Sequence, residues 1–319
     1  MSEPVRILVV RLGAMGDIIN TLPAAASLKQ GIAGARVSWI VEPRWVPLLE
    51  DNPYVDEIIP FDRRSFQSLR CAWQQLRAEI FDIAVDFQGL IKSAVVASAA
   101  RARRVVGFDC DVARESAAAW FYSNTGGSSA RHVVDQYLDL AAVAGASTLL
   151  RVFPIPAGRL EGDLPDGPFV LASPLAGWGA KQWPIEFYSE LGRMVKEECG
   201  LPLVVNGPRP IEVPFTWPNV SGVHGLIHAT RRAVAVVGVD SGPLHLAAAL
   251  GKPGVAIYGP TDPERNGPYD SGMTVLRSAS AVTSHKRTDR DDAMREISPL
   301  DAFKALQQQL AAASLPIYR

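Results

Sequence analysis

The chain has 319 residues, of which 48% are hydrophobic and 20% charged, so it contains enough apolar residues for ordinary buried cores. Its formal net charge of −1 excludes a general attraction to nucleic acid, and no nucleic-acid partner is expected. Cys71, Cys110 and Cys199 are few, scattered and odd in number, which argues against a metal cluster and favours a reducing cytoplasm. No apolar run approaches the roughly 18 residues of a membrane span and no signal-peptide pattern is present, so we expect a cytoplasmic protein.

The first half of the chain alternates short apolar runs with segments of helical periodicity. Strands are predicted at 6–11, 36–41, 55–60, 83–86 and 105–107, and helices at 18–30, 66–79, 90–100 and 132–144. Pro23 lies inside the first of these helices and predicts a kink or a restart there. Strands that alternate with helices predict a parallel sheet covered on both faces.

Proline and glycine crowd the segment 154–168, which we interpret as a linker. The pattern then restarts, with strands at 169–173, 201–206, 233–239 and 254–258 and helices at 184–199, near 225–231, after 240 and at 300–313. The length favours two domains of about 150 residues each. We therefore predict an α/β fold of two doubly wound, Rossmann-like domains, 1–157 and 158–319, facing one another across a cleft, with the final helix able to pack back on the first domain.

The most informative stretch is the turn that follows the predicted strand 233–239. Asp240-Ser241-Gly242 ends this apolar run and opens into a helix. Ser241 is a preferred helix N-cap, and Pro243 suits the first helical turn. A helix that begins at the carboxyl end of a parallel strand aims backbone N–H groups and the positive end of its dipole at one point. This turn predicts a phosphate-binding site, and hence a phosphorylated ligand for the second half.

A glycine-containing turn at 11–17 joins the first predicted strand to the first helix. One interpretation is a catalytic loop with Asp17 as general base. Another is that Asp17 only caps the helix, where aspartate is among the preferred residues. A third is a dinucleotide-binding turn with Glu42 on a ribose, but only Gly13 and Gly16 are present and the G-x-G-x-x-G fingerprint is incomplete. The turn alone leaves the first two interpretations open.

Further segments match the pattern of a known family. They are residues 86–94 (DFQGLIKSA), Ala113-Arg114-Glu115, Phe121-Tyr122 and Arg131-His132. Together with the two turns, they resemble the bacterial ADP-heptose:lipopolysaccharide heptosyltransferases of glycosyltransferase family 9, over nearly the whole chain. They match the enzymes that add the first heptose better than those that add the second. The resemblance implies a GT-B fold and an inverting transfer of L-glycero-D-manno-heptose from ADP-heptose to a Kdo hydroxyl of the lipopolysaccharide inner core.

The resemblance also implies roles for individual residues. Asp17 is the expected general base, and Lys181 is expected to contact the donor phosphates during catalysis. Asp240 is expected to bind a sugar hydroxyl or to order the loop, because an anion beside a diphosphate would repel it. The implied donor site consists of Gly177, Lys181, Glu212, Asp240, Ser241, Gly242 and His245. The implied acceptor side, whose basic members suit an anionic acceptor, consists of Arg11, Ala14, Met15, Gly16, Lys92, Arg114, Arg131 and His132.

Kdo-lipid A is the implied acceptor, and a peripheral position on the cytoplasmic face of the inner membrane and a monomeric state are expected. The clusters Arg63-Arg64 and Arg101, Arg103, Arg104 add attraction to the acceptor or bilayer, or are ordinary solvated charge. Asp109-Cys110-Asp111 has the form of an Asp-x-Asp metal motif and 289–292 is acidic, but we expect no metal or other cofactor. The alternatives are a second-heptose enzyme, a relative using another nucleotide sugar, a dinucleotide-dependent oxidoreductase, and a non-catalytic binding module.

Overall fold

A computed structural model describes residues 3–281, 283 and 292–313. The chain divides into two compact units, 1–156 and 157–319. The boundary lies in the proline- and glycine-rich segment identified above. The acidic run at 289–292 lies outside the described residues, except for the backbone of its last member. None of the helices in the described part of the chain is long and apolar enough to cross a membrane.

The first unit is a parallel sheet with helices on its faces. Its strands are β1 (Val5–Val10), β2 (Ala35–Val41), β3 (Glu57–Pro60), β4 (Ile83–Asp86), β5 (Arg104–Phe108) and β6 (Asn124–Gly126). Its helices are α1 (Met15–Gly31), α2 (Phe66–Ala78), α3 (Ile91–Ala99) and α4 (Val133–Ala144), with 3-10 turns at Pro43–Leu48 and Ser116–Phe121. The strand order is β3-β2-β1-β4-β5-β6. Because the order reverses between β1 and β4, their carboxyl ends form the switch point where doubly wound sheets bind ligands.

The second unit repeats this architecture. Its strands are β7 (Val170–Ser173), β8 (Leu203–Gly207), β9 (Trp217–Val220), β10 (Ala235–Val239), β11 (Gly254–Tyr258) and β12 (Thr274–Arg277). Its helices are α5 (Ile185–Cys199), α6 (Val223–Arg232), α7 (Gly242–Ala249), α8 (Pro263–Asn266) and α9 (Pro299–Ala312), with 3-10 turns at Gly179–Lys181 and Asp292–Glu296. The strand order is β12-β11-β10-β7-β8-β9, again parallel, so the switch point lies between β7 and β10.

The structure confirms the predicted α/β class, and the predicted elements agree with the observed ones to within three residues. One expectation needs correction. α1 is one continuous helix through Pro23, with no restart, and most of it is buried, so tertiary packing outweighs the lost backbone hydrogen bond. Phe303 and Leu306 of the last helix, α9, share a core with Leu191 of α5 in the second unit. The packing of this helix on the first domain stays a prediction.

The three cysteines differ in their surroundings. Cys71 on α2 and Cys110 after β5 are exposed, whereas Cys199 at the end of α5 is buried. Burial, followed by the negative charge of Glu198, raises the pKa of the Cys199 thiol. All three are free thiols.

Candidate functional site

The carboxyl end of β1 leads into a buried arginine. Arg11 is 1% exposed; its Nη1 donates to the carbonyl oxygen of Phe87 at 2.5 Å, and its Nη2 lies 2.8 Å from Asp17 Oδ2. Burial is the largest single influence and lowers the pKa of Arg11, but the nearby Asp17, Tyr137 and Asp86 together outweigh burial, so the pKa is raised. The buried guanidinium of Arg11 thus contacts the Asp17 carboxylate. Its predicted place on the acceptor side stays a prediction.

Asp17 lies in the first turn of α1, three residues after the N-cap residue Ala14. Its Oδ2 accepts a hydrogen bond from the backbone N–H of Ala14 at 3.2 Å. Arg114 Nη1 lies 3.5 Å from the same oxygen. The Asp17 side chain is 26% exposed, so it is accessible from solvent. Asp17 is therefore not the N-cap residue, although it contributes one hydrogen bond of a capping box, and its accessible carboxylate lies between two guanidinium groups.

The segment after β4 holds this turn in place. Gln88 Oε1 accepts from the backbone N–H of Leu12 at 3.0 Å. Gly89 has φ +63°, and a Cβ there would lie 3.2 Å from the backbone nitrogen of Arg114. Glycine therefore permits both the left-handed conformation and the close approach of the two chains. The 86–94 segment, which carried the family resemblance, thus supports the loops of Asp17 and Arg114.

Asp86, at the end of β4, is completely buried. Its carboxylate accepts from Ser93 Oγ at 2.7 Å, from the Tyr122 hydroxyl at 2.8 Å and from the backbone N–H of Gln88 at 2.8 Å. Burial raises the pKa of Asp86, and the hydrogen bonds from Ser93, Gln88 and Tyr122 oppose this rise only in part. The motifs contained these residues, but no role was predicted for them. An aspartate at the end of a buried strand needs hydrogen-bond partners. This requirement is the sequence signal that could have revealed the cluster around Asp86.

The other predicted acceptor-side residues follow the carboxyl ends of strands in the first unit. Ala14, Met15 and Gly16 follow β1, Lys92 is exposed after β4, Arg114 follows β5, and Arg131 and His132 follow β6. His132 is the N-cap of α4, and its Nδ1 accepts from the backbone N–H of Val134 at 3.1 Å. One ring nitrogen of His132 is therefore used to cap a helix. The topology places all these residues at one edge of the sheet, and their contacts with an acceptor stay a prediction.

The Asp109-Cys110-Asp111 segment is a turn after β5. Asp109 Oδ1 accepts from the backbone N–H groups of Asp111 at 3.2 Å and Val112 at 3.1 Å, so this carboxylate stabilises its own turn. Among the described residues, no group of three or more His, Cys, Asp or Glu side chains is arranged to hold a metal ion. The expectation that no metal is required stays a prediction.

The second unit brings together Lys181 and Asp240 at its switch point. Lys181 follows β7, Asp240 follows β10, and Lys181 Nζ donates to Asp240 Oδ2 at 2.5 Å. The ammonium group also lies 4.5 Å from the ring centroid of Trp178, a cation–π contact. His245 Nε2 is 3.7 Å from the other carboxylate oxygen of Asp240. Burial alone raises the pKa of Asp240, but His245 and Lys181 outweigh burial and hold the pKa well below its usual value.

The predicted strand–turn–helix at 233–249 is present as β10 and α7. Ser241 is the N-cap residue of α7, but its hydroxyl makes no capping hydrogen bond. Its Oγ is buried and has no hydrogen-bond partner among the described residues. A buried hydroxyl without a partner is costly in a folded protein. The Ser241 hydroxyl, next to Asp240 at the beginning of α7, is thus an unused hydrogen-bonding group.

Gly177 and Glu212 lie in loops at the same edge of the second sheet. Gly177 is exposed after β7, and a Cβ there would meet no atom within 4 Å. Glu212 is exposed in the loop between β8 and β9. Both positions are open to a ligand, and their roles in donor binding stay predictions.

Comparison with solved structures defines the class of this fold. The structure of E. coli heptosyltransferase WaaC with ADP has a TM-score of 0.72 and 25% sequence identity, and the alignment covers 88% of this chain and 95% of that chain. Two doubly wound parallel-sheet units of this kind are the GT-B glycosyltransferase fold. The family model for glycosyltransferase family 9 (heptosyltransferase) matches residues 69–210 and 222–295. The chain belongs to glycosyltransferase family 9 and is a glycosyltransferase.

Named relatives agree with this assignment. Lipopolysaccharide heptosyltransferase 1 of Escherichia coli (strain K12) is 29% identical over 310 residues, which cover 86% of this chain and 93% of that protein. Lipopolysaccharide heptosyltransferase 1 of Pseudomonas aeruginosa is 29% identical over 304 residues, which cover 86% of this chain and 84% of that protein. These similarities confirm the family recognised from the motifs, including its likeness to the heptosyltransferase 1 enzymes.

Proposed function

We propose that this glycosyltransferase moves L-glycero-D-manno-heptose from ADP-heptose to a Kdo hydroxyl of Kdo-lipid A, in the assembly of the lipopolysaccharide inner core. The observation that carries the proposal is the Asp17 carboxylate, which is accessible at the carboxyl end of β1 and is fixed by Arg11 and Arg114. The similarity to proteins named lipopolysaccharide heptosyltransferase 1 supports the choice of substrates.

The proposed reaction is a single in-line displacement that inverts the configuration of the anomeric carbon. The acceptor hydroxyl oxygen forms a bond to this carbon while the bond from the carbon to the ADP phosphate oxygen breaks. Asp17 takes the hydroxyl proton as the new bond forms. ADP leaves with the electron pair of the broken bond. Arg11 keeps the carboxylate in one orientation, because its own side chain is locked by burial and by the Phe87 carbonyl.

The Arg114 side chain is suited to binding the anionic acceptor. It is 56% exposed and its 3.5 Å contact with Asp17 is longer than that of Arg11. It can therefore turn to an acceptor carboxylate or phosphate while Asp17 keeps its buried partner, and the planar guanidinium suits both groups. Lys92, Arg131 and His132 supply further positive or hydrogen-bonding groups, and Ala14, Met15 and Gly16 shape the floor beside Asp17.

Lys181 and the beginning of α7 are suited to the departing ADP. Negative charge develops on the diphosphate, and a preorganised ammonium group and helix N-terminus stabilise it. Asp240 orders this site by holding Lys181, and because it is neutralised by that lysine it repels a diphosphate less than an isolated carboxylate would. Ser241 and Gly242 supply donors, while Gly177, Glu212 and His245 complete the proposed donor site. We propose a monomer that needs no metal and works at the cytoplasmic face of the inner membrane.

The test is the variant Asp17→Asn, assayed with ADP-heptose and Kdo-lipid A. Asparagine keeps an oxygen that can accept from the Ala14 N–H but cannot take the proton, so we expect kcat to fall by about 10²–10⁴-fold. Because the variant also removes the counter-charge of buried Arg11, thermal unfolding and ADP binding are measured beside it, at a temperature where the variant is folded.

Asp301→Asn is the matched control. Asp301 occupies the corresponding third position of α9, three residues after its N-cap Ser298, so the substitution removes an equivalent first-turn carboxylate far along the chain. We expect turnover close to that of the parent chain. Near-normal turnover by Asp17→Asn would remove Asp17 as the base and leave it a helix-capping role. Absence of heptose transfer by the parent chain would overturn the proposed substrates.

A further inference from the structure

One face of the first unit's sheet is covered by α2 and α3. Ala72 and Leu76 of α2 and Ala97 of α3 share one hydrophobic core with Leu8 and Val10 of β1. Side chains of alternate strand residues point to the same face of a sheet, so the two helices form a single layer. The outer surface of this layer, which we call the α2–α3 face, takes no part in the proposed reaction.

α2 exposes an aromatic and basic stripe on this face. Phe66, Arg70, Trp73 and Arg77 recur at i, i+4, i+7 and i+11, which places them along one side of the helix. Phe66 is 82% exposed, and the guanidinium of Arg77 lies over the indole of Trp73, 4.4 Å from its centroid. The sequence of α2, FQSLRCAWQQLRA, contains no acidic residue, and two more arginines precede it at 63 and 64.

α3 and the 3-10 turn at Ser116–Phe121 extend the apolar part of the face. Ile91 and Val95 of α3 are exposed one helical turn apart, and Trp120 is 85% exposed. The Ser98 hydroxyl of α3 donates to the carbonyl oxygen of Phe121 at 3.3 Å, which fixes the turn along the helix. Single exposed apolar side chains are ordinary, but here several of them lie on α3 and the 3-10 turn, in the same layer as the arginines of α2.

We propose that the α2–α3 face docks on the surface of a bilayer that contains anionic lipid. Tryptophan and phenylalanine side chains insert at the level of the headgroups, and arginine side chains interact with the anionic headgroups while their stems cover apolar surface. The chain as a whole carries a net charge of −1, so the arginine-rich stripe is local and not part of a general positive excess. Both helices begin at the sheet edge that carries Asp17, so docking brings that edge to the membrane surface.

Vesicle flotation tests this surface without donor or acceptor, so a failure of the proposed reaction does not affect the result. The parent chain is expected to float with vesicles of phosphatidylcholine containing about 30% phosphatidylglycerol, more weakly with phosphatidylcholine alone, and more weakly at about 0.5 M NaCl. Arg70→Gln with Arg77→Gln is expected to lower the partition coefficient about 25-fold, since each arginine near an anionic surface contributes roughly fivefold. Phe66→Gln with Trp73→Gln, and Trp120→Gln alone, are expected to weaken binding to both vesicle types.

Two variants outside the face are the controls. Phe215→Asn removes an exposed aromatic side chain of the second unit at φ +60°, a conformation that asparagine tolerates, and Arg36→Gln removes an exposed arginine of β2. Both are expected to float like the parent chain, and thermal unfolding establishes that each variant is folded. The proposal is overturned if the parent chain does not bind anionic vesicles, or if the control variants lose as much binding as the α2 variants. Dimerisation of the parent chain that Trp73→Gln abolishes would also overturn it, because the face would then bind a second copy.

Discussion

At the scale of single residues, Lys181 and Asp240 combine a structural and a proposed chemical role. Their buried contact at 2.5 Å lies between two strand ends, where the beginning of α7 already favours an anion. An ion pair taken from water contributes little net stability, but removing one partner leaves an uncompensated buried charge. The two roles can therefore be separated by removing one partner or both.

Lys181→Met is expected to lower kcat/KM about 10²–10³-fold and to weaken ADP binding, because a preorganised positive group is lost from the departing phosphates. It is also expected to cost about 3–5 kcal/mol in the free energy of unfolding, because Asp240 loses its counter-charge. The double variant Lys181→Met/Asp240→Asn should recover most of this stability and none of the ADP affinity, as measured by urea unfolding and calorimetric titration.

Lys29→Met is the control for this pair. Lys29 forms an ion pair with Asp56 at 2.7 Å in the first unit, so its loss costs stability without touching the proposed donor site. ADP affinity should stay at the value of the parent chain. Recovery of ADP affinity in the double variant would show that Lys181 serves only to neutralise Asp240.

At the scale of elements, β4 and the segment after it connect parts of the first unit that are far apart in sequence. Asp86 receives the hydroxyl of Tyr122, and the Tyr122 ring occupies the space beside Gly107, where a Cβ would lie 2.2 Å from the ring. The same segment contacts the turn after β1 through Gln88 and Leu12. A change in this buried cluster is therefore expected to reach the loops that hold Asp17.

Tyr122→Phe is expected to destabilise the protein by about 1–3 kcal/mol, because Asp86 stays buried and loses a hydrogen-bond donor. Urea unfolding measures this cost. Tyr188→Phe is the matched control: the Tyr188 hydroxyl is buried without a hydrogen-bond partner among the described residues, so its removal should be neutral or stabilising. If both variants lost the same free energy of unfolding, the hydrogen bond from the Tyr122 hydroxyl to Asp86 would contribute nothing measurable to stability.

The sequence was sufficient to predict the central strands and all the described helices except the four-residue α8, because their apolar runs and helical periodicity are continuous. It did not reveal β6, β9 and β12, which have three or four residues and lie at or next to sheet edges, where fewer apolar side chains are needed. In the site, glycine turns after strands indicated where Asp17 and Asp240 lie. The burial of Arg11 could not be predicted, because the carbonyl that it binds lies 76 residues away along the chain.

At the scale of the whole molecule, the two units have the same topology but different polar clusters. The first unit has a carboxylate between two arginines, and the second has a lysine held by a carboxylate beside a helix N-terminus. A phosphorylated ligand is therefore expected to bind and stabilise the second unit. A protein that used its first glycine turn for a dinucleotide would instead bind its phosphorylated ligand in the first unit. The unit that the ligand stabilises therefore distinguishes a nucleotide-sugar enzyme from a dinucleotide-binding protein.

Thermal unfolding with added ADP, UDP or NADH tests this expectation. ADP at about 100 times its dissociation constant should stabilise the folded protein by about 2.7 kcal/mol, and the transition of the second unit should move upward by several degrees. UDP and NADH should have smaller effects. Stabilisation by NADH alone would contradict the transferase assignment of the donor site and favour a dinucleotide-dependent enzyme.

A thiol-specific reagent is expected to label cysteines of the first unit and not the cysteine of the second. Cys71 and Cys110 are exposed, whereas Cys199 is buried and its raised pKa keeps it in the less nucleophilic thiol form. A maleimide fluorophore should thus attach to the first unit of the unsubstituted chain. Because Cys71 lies on α2 between Arg70 and Trp73, with Ala72 facing the core, a polarity-sensitive dye at this position would report the arrival of the protein at a lipid surface as a change of emission colour.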